Sequence, residues 1–497
     1  MLNMAVRNTN KLIREAARDK NIRMGRFFTK KAEARALASL LVPCGNGEFS
    51  LLDAGAGTGI LAIAAIEALC LTKKVNQIKL TAIETDPFML PMLRDNLERV
   101  RKRARRLYGV KLTVTVSEED FMTRDQEECF DAAILNPPSR SIEPEADEAA
   151  RFLSLCRGET DLTYLFTLQA FSALKPNGQL LAILPTGFSN GVYLEKIRMH
   201  LLNGAALTNI LIADGGERTS ELSGKAAASA PPFSKHMGIR LVKGEEQRDI
   251  TLAVLTPAGN VNPFPPFAPE FLIRGEEKNI LLLRSREEEE VIRFVEAQTE
   301  TLETLGLKMK TGLTLASRYA DCLRESPTEG AIPLLRPRGM TGGRIVFPLR
   351  DGRDYLIPRI PSLRQPNKNL LLIKRVPTKK DGRHIVAGVY YASQLPRIPY
   401  ISTENKLNFI DYEDGREMSI PLVMGLYALF TSSLYDRYLT VTNGVRRVNA
   451  SLYDTLPLPT EKMLLEIGRQ LTILRAVNER TIDATVTAVF RKYSRGL

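Results

Sequence analysis

The chain has 497 residues, of which 44% are hydrophobic and 25% charged, and its formal net charge is +12. This composition excludes an extensively disordered chain, and the length predicts two or three domains rather than one core. Residues 301–497 contain 30 lysines and arginines against 18 acidic residues, whereas residues 1–300 contain 39 of each. A basic module joined to a neutral one is typical of a protein that binds a polyanion, nucleic acid first, although a basic surface can also serve solubility alone.

Cysteine and histidine are sparse. The five cysteines have no paired spacing and there are three histidines, so we expect neither a disulfide framework nor a metal site. The basic residues near the start are not followed by the apolar segment of a signal peptide. The uncharged run 418–434 contains Pro421 and Gly425 and predicts a buried helix rather than a membrane span. These features predict a cytoplasmic protein with no membrane contact.

Strands and helices alternate along the first 206 residues. The apolar spacing predicts helices at 30–42, 60–71, 89–106 and 162–174, and strands at 49–52, 78–83, 112–116, 132–135 and 179–184. We interpret residues 175–178 (Lys-Pro-Asn-Gly) as a turn before the last of these strands. This alternation predicts an α/β fold with a Rossmann-like, doubly wound and mostly parallel sheet covered on both faces. Ligands of such sheets bind at the carboxyl ends of the strands.

Beyond residue 206 the pattern loosens. Predicted strands at 207–213 and 249–255 bracket a mobile loop at 218–234, and a Pro-rich non-helical segment and an acidic helix at 284–297 follow. We place a domain boundary near residue 300. Short strands broken by Pro and Gly at 331–400, and helices at 420–437 and 459–478, predict a mixed α+β domain for residues 301–497.

A glycine-rich loop follows the first predicted strand, with the sequence Asp53-Ala54-Gly55-Ala56-Gly57-Thr58-Gly59. Glycines let the backbone turn tightly and approach a ligand without a Cβ in the way. The loop alone is weak evidence, because dinucleotide enzymes and plain structural turns share it. The acid before the first glycine would repel a diphosphate and favours the zwitterionic amino acid end of S-adenosylmethionine. The predicted cofactor-binding residues of this loop are Asp53, Ala54, Gly55, Gly57 and Gly59.

Two further acids follow the next two predicted strands. Glu84 can accept hydrogen bonds from both hydroxyls of a ribose, and Asp120 can accept one from an adenine amino group. Phe121 can lie against the adenine ring. Each acid alone is also explained as a solvated carboxylate at a strand end. Three acids at the ends of three successive strands make a cofactor site the better interpretation.

The fourth strand ends in Asn136-Pro137-Pro138-Ser139. The amino group of a nucleobase is a poor nucleophile, because its lone pair is delocalised into the ring. The Asn136 side-chain oxygen and the Pro137 carbonyl are two acceptors that can hold its N–H bonds, which favours a tetrahedral nitrogen with its lone pair toward a sulfonium methyl group. Prolines fix φ and carry no N–H donor, so these acceptors are preorganised.

The order of these motifs resembles that of the amino-methyltransferases. Gly25-Arg26-Phe27-Phe28-Thr29 is similar to the motif that closes over the methionine end of the cofactor in γ-class N6-adenine DNA methyltransferases, which implies cofactor contacts from Phe27 and Thr29. Four further segments resemble the BsuBI/PstI type of restriction–modification methyltransferase in particular. They are residues 52–61, 187–193, 436–438 and 444–450.

The resemblance implies a class I methyltransferase fold, with a catalytic domain at 1–300 and a DNA target-recognition domain at 301–497. It further implies S-adenosylmethionine as cofactor and transfer of a methyl group to N6 of an adenine that is flipped out of double-stranded DNA. Any cognate restriction endonuclease would be a separate chain, because the sequence contains no nuclease module.

Ser139 departs from the pattern, because the family usually has Tyr or Phe there to stack on the flipped adenine. Base–aromatic stacking is worth about 1–3 kcal/mol, so its loss can lower the rate roughly tenfold to a hundredfold. Either Phe188, at a position that resembles the second stacking aromatic of the family, stacks alone in an active enzyme, or the chain binds DNA and cofactor and methylates poorly. An RNA or protein amino-methyltransferase is the other alternative.

Basic residues of the C-terminal domain are candidates for DNA contacts, although for any one of them taken alone a solvated surface cation is the better explanation. These candidates are Arg336, Arg338, Arg344, Lys374, Arg375, Lys379, Lys380, Arg446 and Arg447.

Overall fold

A computed structural model of the chain describes residues 1–16, 29–43, 47–124, 128–143, 146–158, 160–213, 235–349, 352–377, 383, 385–443 and 453–494. The chain divides into two compact units, Met1–Ser285 and Arg286–Leu497. The predicted mobile loop at 218–234 lies outside the described residues.

The first unit alternates strands and helices, as predicted. Its elements are α1 (Leu2–Ala16), α2 (Lys31–Ala38), β1 (Gly47–Ala54), α3 (Ile60–Thr72), β2 (Val75–Ile83), α4 (Leu90–Tyr108), β3 (Lys111–Ser117), β4 (Phe130–Leu135), β5 (Ser141–Ile142), β6 (Thr160–Asp161), α5 (Leu162–Ser172), β7 (Leu174–Pro185), α6 (Glu195–Gly204), β8 (Ala205–Ala213), β9 (His236–Lys243), β10 (Thr251–Leu255), β11 (Val261–Pro263), α7 (Pro269–Leu272), β12 (Ile273–Arg274) and β13 (Asn279–Ile280).

Nine strands form one sheet in the order β11-β10-β8-β9-β7-β4-β1-β2-β3. β3, β2, β1, β4 and β7 are mutually parallel, and β9 runs antiparallel between β7 and β8. β11 runs antiparallel to β10, which is parallel to β8, so two of the nine strands, β9 and β11, run against the others. The predicted doubly wound, mostly parallel sheet is therefore confirmed.

The strands and helices beside the site are apolar because they are covered on both sides. In β4, Ala132, Ala133, Ile134 and Leu135 are fully buried. α3 buries most of its circumference against the sheet, α1 and α2. Such runs carry no alternation and are typical of central strands and of helices inside a core.

This unit differs from the prediction in several places, including the helices α1 and α6, which were not predicted. β9 was not predicted, and it fills the space between β7 and β8. Residues 175–178, predicted to be a turn, lie within β7, where Asn177 has φ 63° and the pairing with β4 shifts register between Phe130 and Ala132. The turn residues thus form an irregular start of the strand.

The second unit is the predicted mixed α+β domain. Its elements are α8 (Arg286–Glu296), β14 (Leu307–Thr311), β15 (Leu323–Arg324), β16 (Ile332–Leu335), β17 (Met340–Thr341), β18 (Arg344–Ile345), β19 (Tyr355–Leu356), β20 (Gln365–Pro366), β21 (Leu370–Lys374), β22 (Ala387–Tyr390), β23 (Tyr400–Thr403), β24 (Leu407–Tyr412), α9 (Ile420–Thr431), α10 (Ser433–Asn443), α11 (Glu461–Thr472) and α12 (Glu479–Ser494).

The acidic helix α8 lies in the second unit, so the chain divides at Ser285 rather than near residue 300. α8 packs against the C-terminal helices: the Phe294 ring lies 5.0 Å from that of Phe490, and Arg437 pairs with Glu287 at 3.2 Å. These contacts link α8 to helices that follow it by more than 100 residues. The catalytic and target-recognition roles of the two units remain predictions.

The uncharged run 418–434 forms α9 and the start of α10 rather than one helix, and α9 is buried along most of its length. Among the described residues, no helix combines the length and hydropathy needed to cross a membrane.

We expect Gly468→Ala to destabilise the second unit. A Cβ on Gly468 in α11 would lie 1.7 Å from the Pro421 carbonyl oxygen, and a Cβ on Gly425 in α9 would lie 2.0 Å from the Leu464 carbonyl oxygen. The backbones of α9 and α11 therefore approach each other at a glycine of each helix. Alanine gains helix propensity of about 1 kcal/mol, but a backbone clash of this size costs about 1–3 kcal/mol or more. Urea unfolding measures the change. Arg469→Ala, on the exposed face of the same helix, should change the free energy of unfolding by about 0.5 kcal/mol or less.

Candidate active site

The predicted site residues of the first unit gather at one edge of the sheet. β1 pairs in parallel with β2 on one side and with β4 on the other. The carboxyl ends of β3, β2, β1, β4 and β7 therefore meet at the same edge, and a predicted residue lies at or just after each end. These are Asp120, Glu84, Asp53, Asn136 and Phe188.

The glycine loop turns tightly at this edge. Gly55, Gly57 and Gly59 have φ of 75°, 54° and 83°, where only glycine is free of strain. The N–H groups of Gly55 and Ala56 both donate to the Ile83 carbonyl at 2.9 Å, which holds the loop against the end of β2. A Cβ at Gly57 would meet no atom within 4 Å, so the middle of the turn faces open space.

The same loop lies against the tetrapeptide. A Cβ built on Gly55 would lie 3.5 Å from Cδ of Pro138. The predicted cofactor loop and the predicted base-binding tetrapeptide are therefore in contact range, as methyl transfer between them requires.

Two carboxylates flank the loop. The Glu84 side chain accepts hydrogen bonds from the Gly57 N–H at 2.7 Å and the Asp86 N–H at 2.8 Å, and it retains lone pairs for further donors. Asp53 is 1% exposed and accepts from the Ala62 N–H at 3.0 Å, in the first turn of α3. Burial raises the pKa of the Asp53 carboxyl to about 7, the Ala62 hydrogen bond opposes this, and the charge of Glu84 adds to it.

Asp120 and Phe121 follow β3. The exposed Asp120 side chain accepts from the Met122 N–H at 2.9 Å and caps a short 3₁₀ turn. Phe121 is 2% exposed, and its ring centroid lies 5.3 Å from that of Phe166. Asp120 thus keeps lone pairs toward solvent, while Phe121 packs into the wall behind the turn.

Asn136 is half-buried, and its amide nitrogen donates to the Thr29 hydroxyl at 3.0 Å. Because nitrogen and oxygen lie on opposite sides of the amide carbon, this bond directs the oxygen away from Thr29. Thr29 was predicted as a cofactor contact, and here it also orients the amide. Phe27 and the rest of the motif at 25–28 lie outside the described residues.

The second half of the tetrapeptide is tied to the start of α5. The Ser139 hydroxyl donates to Asp161 at 2.8 Å, and Asp161 in turn accepts from the Thr163 N–H at 2.8 Å as the cap of this helix. The Thr163 hydroxyl donates to the Pro138 carbonyl at 3.2 Å. The serine that replaces an aromatic residue therefore joins the tetrapeptide to a helix cap.

Phe188 is fully buried, in a 3₁₀ turn after β7. Its ring is nearly parallel to that of Tyr164, with centroids 6.3 Å apart. The Phe188 carbonyl accepts from Nη1 of Arg198, which is itself 1% exposed. Neither Tyr164 nor Arg198 was predicted as part of the site.

A helix that was not predicted also reaches the glycine loop. The hydroxyl groups of Thr9 on α1 and Thr58 in the loop lie 2.8 Å apart, and both residues are buried. The Asn96 side chain donates to the Thr58 carbonyl at 3.0 Å and accepts from Asn8. The buried positions 2, 5 and 9 have helical spacing, which was a usable signal for α1.

The predicted DNA-contacting cations of the second unit differ in their surroundings. Arg336 pairs with the buried Glu404 at 2.9 Å and Arg338 pairs with the buried Asp354, so both are tied to the fold. Arg344 and Arg375 are exposed, and Lys374 is partly exposed. The others, Lys379, Lys380, Arg446 and Arg447, lie outside the described residues. In the described part of the chain, no group of three or more His, Cys, Asp or Glu residues could hold a metal ion.

Comparison with known proteins agrees with the family resemblance predicted from the sequence. The Eco57I restriction-modification methylase family matches residues 67–218. The type II methyltransferase M.PstI of Providencia stuartii is 28% identical over 481 residues and covers 92% of each chain. M.BsuBI of Bacillus subtilis is 25% identical over 459 residues, 90% of this chain and 89% of its own. The chain is a relative of the restriction–modification methyltransferases. The predicted resemblance to the BsuBI/PstI type is confirmed.

Solved structures with similar architecture include the type IIG restriction endonuclease BpuSI, with a TM-score of 0.48, 13% identity and coverage of 95% of this chain and 67% of that one. Another is a class I S-adenosylmethionine-dependent methyltransferase from Listeria monocytogenes, with a TM-score of 0.37, 18% identity and coverage of 49% and 69%.

The residues at the sheet edge fit S-adenosylmethionine, the cofactor of class I methyltransferases. Its ribose offers hydroxyl donors to Glu84, its ammonium group is a cation for the acidic surroundings of Asp53, and the open space at Gly57 admits close approach of a ligand. A diphosphate would instead be repelled by both acids.

We expect Asp53→Asn to change how stability depends on pH. The pKa of this carboxyl rises from 3.8 to about 7 on folding, so between these values the folded state binds more protons and the parent chain loses stability as pH rises. Asparagine does not titrate, and its oxygen can still accept from Ala62. In urea unfolding at pH 5, 6, 7 and 8, the free energy of unfolding of the variant minus that of the parent should increase up to about pH 7 and then stay constant. A pH-independent difference would contradict the raised pKa.

Proposed function

We propose that the chain is a site-specific DNA adenine methyltransferase of a restriction–modification system, which transfers a methyl group from S-adenosylmethionine to N6 of a flipped adenine. The observation that carries this proposal is the orientation of Asn136. Its nitrogen donates to Thr29, so its oxygen is an acceptor next to Pro137 and within the edge that also holds the glycine loop.

The tetrapeptide acts by holding the amino group of the base. The Asn136 oxygen and the Pro137 carbonyl accept its two N–H bonds, and the nitrogen becomes tetrahedral with its lone pair toward the methyl group that the cofactor supplies. The acceptors must not move as charge develops on that nitrogen. Thr29 restrains the Asn136 amide, and Thr163 restrains the Pro138 carbonyl.

The acidic residues hold the cofactor. Glu84 is fixed by two backbone N–H groups and accepts from the ribose hydroxyls, and Asp120 accepts from the adenine amino group of the cofactor. A bound ammonium group stabilises the ionised form of Asp53 and so opposes the effect of its burial. The basic second unit binds the duplex, with Arg344 and Arg375 as exposed candidates for its contacts.

One observation favours a second candidate, a weakly active or inactive DNA-binding relative. Ser139 cannot stack on a base, and Phe188 is fully buried against Tyr164. A flipped adenine would have to displace Tyr164 from Phe188, or stack without an aromatic partner.

Expression of the chain in cells that lack adenine methylation, followed by methylation-sensitive sequencing, tests the proposal. N6-methyladenine should appear at one recognised sequence, and Asn136→Ala, which removes an acceptor, should abolish it. Because Asn136 is also a predicted cofactor contact, cofactor binding by this variant is measured alongside by calorimetry. In parallel, purified protein is incubated with labelled cofactor and DNA, RNA or protein. Label found only in RNA or protein would overturn the DNA proposal, and cofactor binding without any transfer would support the second candidate.

We expect Ser139→Tyr to raise the methylation rate about tenfold or more, because base–aromatic stacking is worth about 1–3 kcal/mol. Ser139→Ala is the matched control, since it also loses the hydrogen bond to Asp161 but adds no ring. Single-turnover methylation of the recognised duplex measures both. A tyrosine variant no faster than the alanine variant would show that stacking at this position does not limit the reaction.

A further inference from the structure

Val192 and Tyr193 form an apolar projection next to the candidate active site. Their side chains are 70% and 73% exposed, and among the described aromatic residues with large exposure Tyr193 is the most exposed. Both lie in the 3₁₀ turn Val192–Leu194, a few residues after Phe188. Burying these two large apolar side chains would be favourable, because it would remove their surface from water. Adjacent exposed apolar side chains are often found where a partner binds.

The backbone under this projection is firmly held. Arg198 is 1% exposed, and its Nη1 donates to the carbonyls of Phe188 at 3.1 Å and Gly191 at 3.2 Å. Its other nitrogens donate to the Glu277 carbonyl at 3.0 Å and to Asn279 at 2.7 Å. Hydrogen bonds from a buried guanidinium are strong, and losing any of them leaves an N–H group of a desolvated charge unsatisfied.

One guanidinium therefore fixes both ends of the segment from Phe188 to Gly191. Phe188 points into the interior at the end of β7, and Tyr193 stands outside in water. The Gly191 N–H also donates to the Gly187 carbonyl at 2.8 Å, which closes the segment into a tight loop. The Leu194 N–H donates to the Gly191 carbonyl at 3.1 Å, so the turn that carries Val192 and Tyr193 is joined directly to this loop.

We propose that Tyr193, supported by Val192, contacts the target duplex beside the extruded adenine and stabilises the gap that the base leaves. The inference rests on the proposed function, because it needs a duplex with one base removed from the stack. Apolar and aromatic side chains suit this role, since they can lie between base steps or stack on an unpaired base without reading its sequence. The rigid loop keeps Tyr193 in place while the base moves toward Phe188.

The test compares Tyr193→Ala with Tyr193→Phe and with Tyr108→Ala. Tyr108 is 39% exposed and ends α4, at the opposite edge of the sheet from the site, so it is a matched control in the same unit. The probe is a duplex with the recognised sequence in which 2-aminopurine, whose fluorescence rises on unstacking, replaces the target adenine. Tyr193→Ala should bind it about tenfold more weakly and unstack less of it at saturation, whereas the other two variants should match the parent.

A second duplex separates support of the gap from ordinary binding. When the target base stands opposite an abasic site, it is already unpaired, so the deficit of Tyr193→Ala should shrink. An equal deficit on both duplexes, or parent-like behaviour on both, would overturn the inference, and the latter would leave a protein partner as the occupant of this surface. Failure of the proposed function is seen separately, because the parent chain would then neither methylate nor unstack any duplex.

Discussion

The site depends on parallel pairing of β1 with β2 on one side and β4 on the other. A parallel pair brings both carboxyl ends to the same edge, so the glycine loop after β1 must lie between Glu84 and Asn136. Their order along the chain alone would not bring them together. The contact range between Gly55 and Pro138 follows from this pairing, and any slip of register would separate the loop from the tetrapeptide.

The predicted residues at this edge that the structure describes are mainly acceptors and acids. Asp53, Glu84 and Asp120 supply carboxylates, while Asn136 and the prolines supply neutral acceptors. A buried acid such as Asp53 is costly in the free protein, and a positively charged ligand reduces that cost. The free chain is thus less stable than it would be without this buried acid, at an edge that suits a positively charged cofactor.

The central strands and the residue types of the site could be predicted from the sequence, because each is a local pattern: an apolar run followed by an acid, a glycine loop or an asparagine. β9 was missed because Gly238 and Arg240 interrupt its apolar residues and His236 and Lys243 bound them, so it has no continuous apolar run. The boundary at Ser285 was missed because α8 is held by contacts with α10 and α12. The hydrogen bonds within the site could not be predicted from local patterns either, because their partners are distant in sequence. Thr29 and Asn136 are 107 residues apart, and Ser139 and Asp161 are 22 apart.

The Arg198 contacts bear on how this edge of the protein opens. Loops around binding sites usually belong to the parts of a protein that unfold locally at little cost, and their amide protons exchange quickly with solvent. Here the loop above β7 cannot open without stripping a buried guanidinium of two carbonyl partners. The Gly191 amide, although it directly precedes the surface projection, should therefore exchange as slowly as the strands of the core. This loop would then be ordered in the free protein, so binding of a substrate would not have to order it.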